Sequence, residues 1–95
     1  MVITNEPGIY IAGSHGIRLE NELLVKYGPK TEYGQFMEFE AITYCPIDLD
    51  AINPDILTDS DKIELNNYHK KVYEIIGPHL TDEERAWLKE ATREI

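Results

Sequence analysis

The hydrophobic pattern of this chain changes character near residue 48, and that change limits its fold more than any other feature. Before it, β-branched and aromatic residues are interleaved with glycines and prolines, which is typical of short strands joined by turns. After Pro46, apolar residues recur at the three- and four-residue spacing of amphipathic helices. The sequence therefore predicts an α+β fold in which strands come first and helices follow.

Four segments of the first half have strand character. They are residues 2–4, 9–11, 17–25 and 37–44, of which 17–25 is the longest. Two turn-forming pairs, Gly28-Pro29 and Tyr33-Gly34, bracket a polar stretch that is predicted to be a loop. Because the chain begins directly in a strand and the sheet edges have no evident cover, we expect it to be a fragment of a larger domain.

Two helix-start signals follow in the second half. Thr58 with Asp61, and Thr81 with Glu84, have the spacing of a capping box, in which a hydroxyl and a carboxylate bond each other's backbone N–H groups. The apolar stripes behind them are Leu65, Tyr68, Val72, Ile75 and Ile76 in the first helix, and Trp87, Leu88, Ala91 and Ile95 in the second. Gly77-Pro78 is expected to end the first helix. Two such helices joined by a short loop predict an antiparallel helical hairpin.

Composition and charge exclude several classes of function. The chain has 95 residues, with 9 basic against 18 acidic side chains, and a formal net charge of -9. This balance argues against nucleic acid and against an anionic membrane surface as partners, since both need basic residues. No apolar run is long enough to span a bilayer. The single cysteine cannot form an internal disulfide, so a reducing, cytoplasmic setting is expected.

Two carboxylates and one guanidinium in the strand half are candidates for chemistry. Glu6 lies at a strand end in Thr-Asn-Glu-Pro-Gly, where Pro7 fixes the backbone direction and Gly8 permits a close turn. Glu20 follows Arg18 by two residues, so both side chains project from the same face of an extended strand. A surface ion pair on a solvated sheet face is the simpler interpretation of this spacing, and a functional site is the alternative.

The order of these residues resembles a known family. Residues 4–10, Thr-Asn-Glu-Pro-Gly-Ile-Tyr, and residues 17–21, Ile-Arg-Leu-Glu-Asn, are similar to the C-terminal end of the M24 "pita-bread" metallopeptidases, nearest to the aminopeptidase P (Xaa-Pro aminopeptidase) branch. Asn-Asn-Tyr-His at residues 66–69 and the ending around Trp87-Leu88 resemble the C-terminal extension of its longer members. The resemblance covers essentially the whole chain. The two strand motifs at this spacing are far more specific than Glu-Pro-Gly alone.

The resemblance implies a site for two divalent metal ions, commonly manganese, in an enzyme that hydrolyses the N-terminal Xaa-Pro peptide bond. By the motif match, Glu6 would bind one metal and move the proton between the attacking water and the leaving amine, while Glu20 would bridge both ions. Carboxylate oxygens suit such hard cations. Arg18 and Tyr10 match residues that support the ligands through hydrogen bonds. The family's two aspartates, its ligand histidine and its substrate-contacting histidines lie upstream of this chain, so the isolated chain is expected to be inactive.

The resemblance also implies a division of the chain. Residues 1–47 would be the last strands of the pita-bread catalytic domain, and residues 48–95 a connector with a helical hairpin extension. The partner would be a peptide with proline in the second position. A non-catalytic interaction module is the alternative, in which the hairpin and the exposed sheet edges mediate docking or homodimer formation.

The remaining polar side chains are expected to be structural. His15, in a glycine-bracketed loop, and His79, between the two helices, are predicted to be exposed loop residues, and His69, beside the apolar stripe, a helix-packing residue. Their spacing matches no metal-ligand pattern. The acidic stretch 48–61 lacks the glycine of a calcium-binding EF-hand loop and is interpreted as a solvated capping region. Three further residues interpreted as structural are Glu38 and Glu40 on one strand face and Cys45 in the core at a strand end.

Overall fold

The computed structural model describes residues 1–95. The chain divides into two compact units, Met1–Thr43 and Tyr44–Ile95. The first contains all the strands and is called the strand unit below. The second contains both α-helices and is called the helix unit. The predicted order, strands first and helices after, is confirmed, and so is the α+β class.

The strand unit consists of two antiparallel sheets. Its strands are β1 (Val2–Asn5), β2 (Gly8–Ile11), β3 (His15–Arg18), β4 (Asn21–Thr31) and β5 (Gly34–Ala41). One sheet has three strands in the order β1-β4-β5, and the other pairs β2 with β3. The long central strand β4 is therefore flanked by the first and last strands of the unit.

The predicted strand over residues 17–25 is divided in the structure. β3 ends at Arg18 and β4 begins at Asn21, which leaves Leu19 and Glu20 between them. The reason lies on the facing segment, where Pro7 has no N–H to donate to a sheet ladder. Only its carbonyl takes part, accepting from the Leu19 N–H at 3.1 Å. The prediction of one continuous strand was wrong here because the interruption is caused by the segment that it pairs with.

The predicted loop from Gly28 onward is also wrong. β4 continues to Thr31 and a two-residue turn leads directly into β5. Pro29 is tolerated because the pairing of β4 with β5 shifts register between Tyr27 and Lys30, and a bulged position needs no ladder N–H. The Gln35 side-chain amide bonds the bulge by donating to the Gly28 carbonyl at 2.8 Å. The last strand consequently starts and ends three residues earlier than predicted.

The helix unit contains α1 (Asp59–Ile76) and α2 (Asp82–Ala91). Both predicted capping boxes are confirmed, with Thr58 reciprocally bonded to Asp61 and Thr81 to Glu84. Three short 3₁₀ turns complete the unit at Leu49–Ala51, Pro54–Ile56 and Gly77–His79. The last of these follows α1 where Gly77-Pro78 was expected to end it. Neither α-helix combines the length and apolar composition that crossing a membrane requires.

The buried side chains belong to the helix unit. They are Leu49, His69, Val72 and Leu88. Of the stripe predicted on α2, Leu88 is 2% exposed, whereas Trp87 is 65% exposed. Successive helix residues point about 100° apart, so the burial of Leu88 turns the neighbouring indole outward. The expectation that Trp87 would pack in the stripe was therefore wrong.

Candidate functional site

The strand unit passes from one sheet to the other at two facing segments. In the three-stranded sheet, the β1–β4 pairing ends where Asn5 lies opposite Asn21. In the two-stranded sheet, the pairing begins where Gly8 lies opposite Arg18. Both pairings have the same register, as in one long hairpin that is interrupted for two residues on each side.

Glu6 and Glu20 occupy that interruption. The hydrogen bond between the Leu19 N–H and the Pro7 carbonyl keeps the two segments side by side across it. The shared register therefore sets Glu6 opposite Glu20. Side chains directly opposite in an antiparallel pair share one face, with Cβ atoms about 4.5–5.5 Å apart. The fold thus brings the two carboxylates singled out in the sequence to neighbouring positions, and both are exposed.

Arg18 supplies a positive charge beside these carboxylates. Its Nε lies 3.2 Å from Oε2 of Glu20, and both side chains are about half exposed. The pKa of Arg18 is raised first by Tyr10, then by Glu20 and Glu6. Tyr10 acts through a hydrogen bond and, at the high pH where arginine titrates, through its phenolate charge. The other three residues assigned to the site by resemblance therefore all act on Arg18.

Tyr10 reaches Arg18 because its ring lies against two glycines. Gly16 is opposite Tyr10 in the β2–β3 pair. A Cβ atom at Gly16 would lie 2.7 Å from Cδ1 of the ring, and one at Gly8 would lie 2.8 Å from the hydroxyl oxygen. The sequence analysis did not predict this packing of the Tyr10 ring against two glycines. An aromatic residue opposite a glycine is a recurrent antiparallel pairing, but it becomes visible only once the register is known.

A second supporting contact fixes the chain just after Glu20. The Thr43 hydroxyl donates to Oδ1 of Asn21 at 2.7 Å and accepts from the Glu22 N–H at 3.2 Å. The Ile42 N–H donates to the Glu22 carbonyl at 3.0 Å. The segment that follows β5 thereby holds the start of β4. The signal in the sequence was Asn21 itself, a short polar residue that opens a largely apolar strand.

The two carboxylates can supply some, but not all, of the ligands of a metal site. Glu6 and Glu20 offer the hard oxygen donors that manganese or magnesium prefers. No group of three or more His, Cys, Asp or Glu side chains in the chain is arranged to hold a metal ion. His15 does not add a ligand, because it lies at the far end of the β2–β3 pair, opposite Ile11, and bonds Ser14 at 2.8 Å. The donor set therefore suits a dinuclear centre only as part of a larger set of ligands.

The other polar residues have structural roles, as expected for most of them. Glu38 and Glu40 form ion pairs with Lys26 at 3.7 and 3.5 Å across β4 and β5. Asp48, in the acidic stretch, caps a 3₁₀ turn by accepting from the Asp50 N–H. Cys45 is exposed, and its placement in the core was wrong. β5 ends at Ala41, so residue 45 lies outside the sheet.

A family model described as the C-terminal region of peptidase M24 matches residues 35–95. The chain belongs to the M24 peptidase family. The matched residues begin in β5 and include the whole helix unit, so Glu6 and Glu20 of this M24 chain lie before them.

Curated M24 relatives extend the similarity to the strand unit. The "Probable Xaa-Pro aminopeptidase P" of Coprinopsis cinerea is 38% identical over 104 residues, which cover 100% of this chain and 16% of that protein. "Aminopeptidase P1" of Arabidopsis thaliana is 39% identical over 99 residues, covering 100% of this chain and 15% of that protein. The chain thus spans about one sixth of the length of the curated relatives it matches.

A solved M24 structure has the same fold. The X-prolyl aminopeptidase of Caenorhabditis elegans, described as a cytosolic enzyme with a di-nuclear active site, matches 99% of this chain with a TM-score of 0.87 and 31% identity. The match covers 16% of that enzyme's chain. Together with the family match, it confirms the resemblance to the C-terminal strands and helical extension of the aminopeptidase P branch.

Proposed function

We propose that this chain is the C-terminal part of a dinuclear-metal aminopeptidase that hydrolyses the N-terminal Xaa-Pro peptide bond. Residues 1–47 then form the last strands of the catalytic domain, and residues 48–95 its connector and helical extension. The observation that carries the proposal is the register that sets Glu6 opposite Glu20. The names of the curated relatives and the di-nuclear active site of the C. elegans enzyme support it.

Glu6 and Glu20 are the residues that would hold the metals. In this proposal Glu20 would be a ligand of both ions, and Glu6 would be a ligand of one of them and would carry the proton from the attacking water to the leaving amine. Two divalent ions, which we propose to be manganese, lower the pKa of the attacking water and polarise the scissile carbonyl when bound. Arg18, paired with one oxygen of Glu20, orients that carboxylate, and Tyr10 holds Arg18 in turn.

The isolated chain is proposed to be inactive, since two carboxylates are too few for a dinuclear centre and no third ligand joins them. The remaining ligands and the groups that bind a peptide with proline in second position would come from the upstream part of the parent enzyme. A cytoplasmic location is proposed from the cytosolic C. elegans relative. The net charge of -9 disfavours nucleic acid and membrane partners.

A graft onto the C. elegans enzyme tests this assignment. The chain replaces the segment that it matches, and hydrolysis of a peptide with proline in second position is measured together with bound manganese. We expect Glu20→Gln to remove most of the activity and bound metal, because a neutral amide is a poor ligand for a hard cation. Glu22→Gln, two residues along the same segment, is the matched control and should retain both.

Thermal unfolding of each graft separates a folding defect from a lost ligand. A folded Glu20→Gln graft with full activity and full metal content would contradict the role of Glu20. It would leave the family membership untouched.

Self-association is a second candidate function, favoured by apolar side chains that remain exposed in both units. Tyr27 is 78% exposed, Phe39 61% and Trp87 65%. Tyr27 lies opposite the exposed Met37 in the β4–β5 pair, and adjacent exposed apolar side chains can form an interaction surface. Sedimentation and calorimetry with manganese on the isolated chain distinguish the alternatives. A dimer that takes up no manganese favours an interaction module, and a monomer excludes homodimer formation by this segment.

A further inference from the structure

The Asn-Asn-Tyr-His stretch of α1 has no part in the proposed metal site, yet its last two side chains bond backbone outside the helix. The Tyr68 hydroxyl accepts from the Cys45 N–H at 3.3 Å and donates to the Cys45 carbonyl at 2.9 Å. The His69 Nε2 atom accepts from the Ile47 N–H at 2.9 Å. Residues 45–47, called the strap below, are thus held at alternate positions by two consecutive helix residues.

The His69 bond requires a neutral ring of one tautomer. Because Nε2 accepts, the proton of the neutral imidazole resides on Nδ1. The side chain is completely buried, with 0% exposed, and its Nδ1 atom is buried without a hydrogen-bond partner. A histidine buried in this way, with Nε2 bonded to the strap, is shielded from the solvent that would stabilise a charge on the ring.

We infer that His69 is an acid-sensitive latch for the strap, whose neutral ring holds residues 45–47 against α1 and whose protonation releases them. A proton on Nε2 turns the only acceptor of the Ile47 N–H into a second donor, so the bond is lost and the two hydrogens face each other. Protonation also places a cation in a fully buried position. Both effects disappear if the strap moves away and admits water.

No carboxylate forms an ion pair with His69 that could offset a charge on the ring. The titratable and charged side chains of the elements around His69 are Tyr68, Lys70, Lys71 and Tyr73 on α1, Cys45 on the strap, Asp48 and Asp50 after it, and Glu90 and Arg93 on α2. The Asp48 carboxylate is bonded to the Asp50 N–H, and Arg93 pairs with both Asp50 and Glu90. Burial is the cause that lowers the pKa of His69.

The pH range of release follows from that direction. Since the latched form has the lower His69 pKa, it is favoured above the ordinary histidine value of about 6.5 and loses its advantage as the pH falls below it, where the released form binds the proton. The ratio of released to latched strap is expected to rise by up to about tenfold for each pH unit below about 6.5. Near neutral pH the strap stays latched.

Nuclear magnetic resonance on the 95-residue chain tests the latch without a variant. The ¹⁵N shifts of His69 should report a proton on Nδ1 near neutral pH. Amide protection factors, which correct for the intrinsic pH dependence of exchange, should fall at Ile47 on acidification from about pH 7.5 to about pH 5. Over the same range, amides in the middle of α1 should keep their protection.

His69→Gln is the informative variant, because its amide oxygen can accept from the Ile47 N–H but does not titrate. The Ile47 protection factor should then be independent of pH. His15→Gln and His79→Gln, which remove exposed histidines, should retain the wild-type pH dependence.

Three results would overturn the inference. One is a proton on Nε2 at neutral pH, and another is protection at Ile47 that does not change on acidification of the wild-type chain. The third is a parallel loss of protection at Ile47 and throughout α1. It would mean that acid unfolds the whole helix unit and does not release the strap on its own.

Discussion

The strand unit and the helix unit hold their shape by different means. The helix unit buries Leu49, Val72 and Leu88 together with His69, whereas the strand unit contains no side chain that is buried. Strand ladders and their connecting hydrogen bonds fix its backbone while large apolar residues such as Phe39 remain exposed. In this chain, therefore, the pairing that positions the site residues belongs to one unit and the side-chain burial that stabilises a fold belongs to the other. The strand unit has a defined register for Glu6 and Glu20 but lacks a core of its own.

The largest expected effect contrasts two adjacent residues of α2. Leu88→Ala should destabilise the helix unit by about 2–5 kcal/mol, because it removes a buried side chain and leaves a cavity. Trp87→Ala is the matched control and should change stability by less than about 1 kcal/mol, since the indole is mostly exposed. Thermal unfolding followed by helical circular dichroism measures both. Equal losses would show that the indole packs in solution and that burial contributes more to the helix unit than the structure indicates.

The helix unit could be predicted from the sequence because its signals are local. The capping residues Thr58 and Asp61 lie three positions apart and need no partner from elsewhere in the chain. What failed in this unit was the inclusion of Trp87 beside Leu88 in one apolar stripe, since only tertiary packing decides which of two adjacent residues is buried. The wrong placement of Cys45 in the core has the same origin, since local sequence does not show whether a residue after the last strand is covered.

The strand unit was less predictable because its boundaries depend on pairing. Pro7 interrupts the segment that it faces, and Pro29 is accommodated by a register shift, so neither effect can be found along one strand alone. In the site, the motif resemblance singled out Glu6 and Glu20. Their placement opposite each other required the register.

A smaller effect is expected from a backbone change in the strand unit. Gly16→Ala should push the Tyr10 ring off its seat and destabilise the β2–β3 pair by about 1 kcal/mol, because the new Cβ atom comes within 2.7 Å of Cδ1. In a Tyr10→Ala background the same change should have almost no effect, as expected for two residues in contact. Amide exchange in β2 and β3 measures each variant. An equal effect in both backgrounds would mean that the glycine serves the backbone and not the ring.

The smallest expected effect is a pH dependence that should be confined to the helix unit. Hydrogen bonds from Thr58 hold the pKa of Asp61 below its ordinary value. A carboxylate with a lowered pKa contributes stability above the unfolded-state value of about 3.9, and that contribution is lost as the pH falls through the folded-state value. Asp61→Asn still offers an oxygen to the Thr58 N–H but does not titrate, so it should lose less helical signal than the wild-type chain on acidification below about pH 4. Exchange at the first amides of α1 locates the effect, and β4 serves as the internal control because this carboxylate bonds nothing in the strand unit. An acid response of the same size in the Asn variant would assign the loss to other carboxylates and remove this cap from the account of how the helix unit is stabilised.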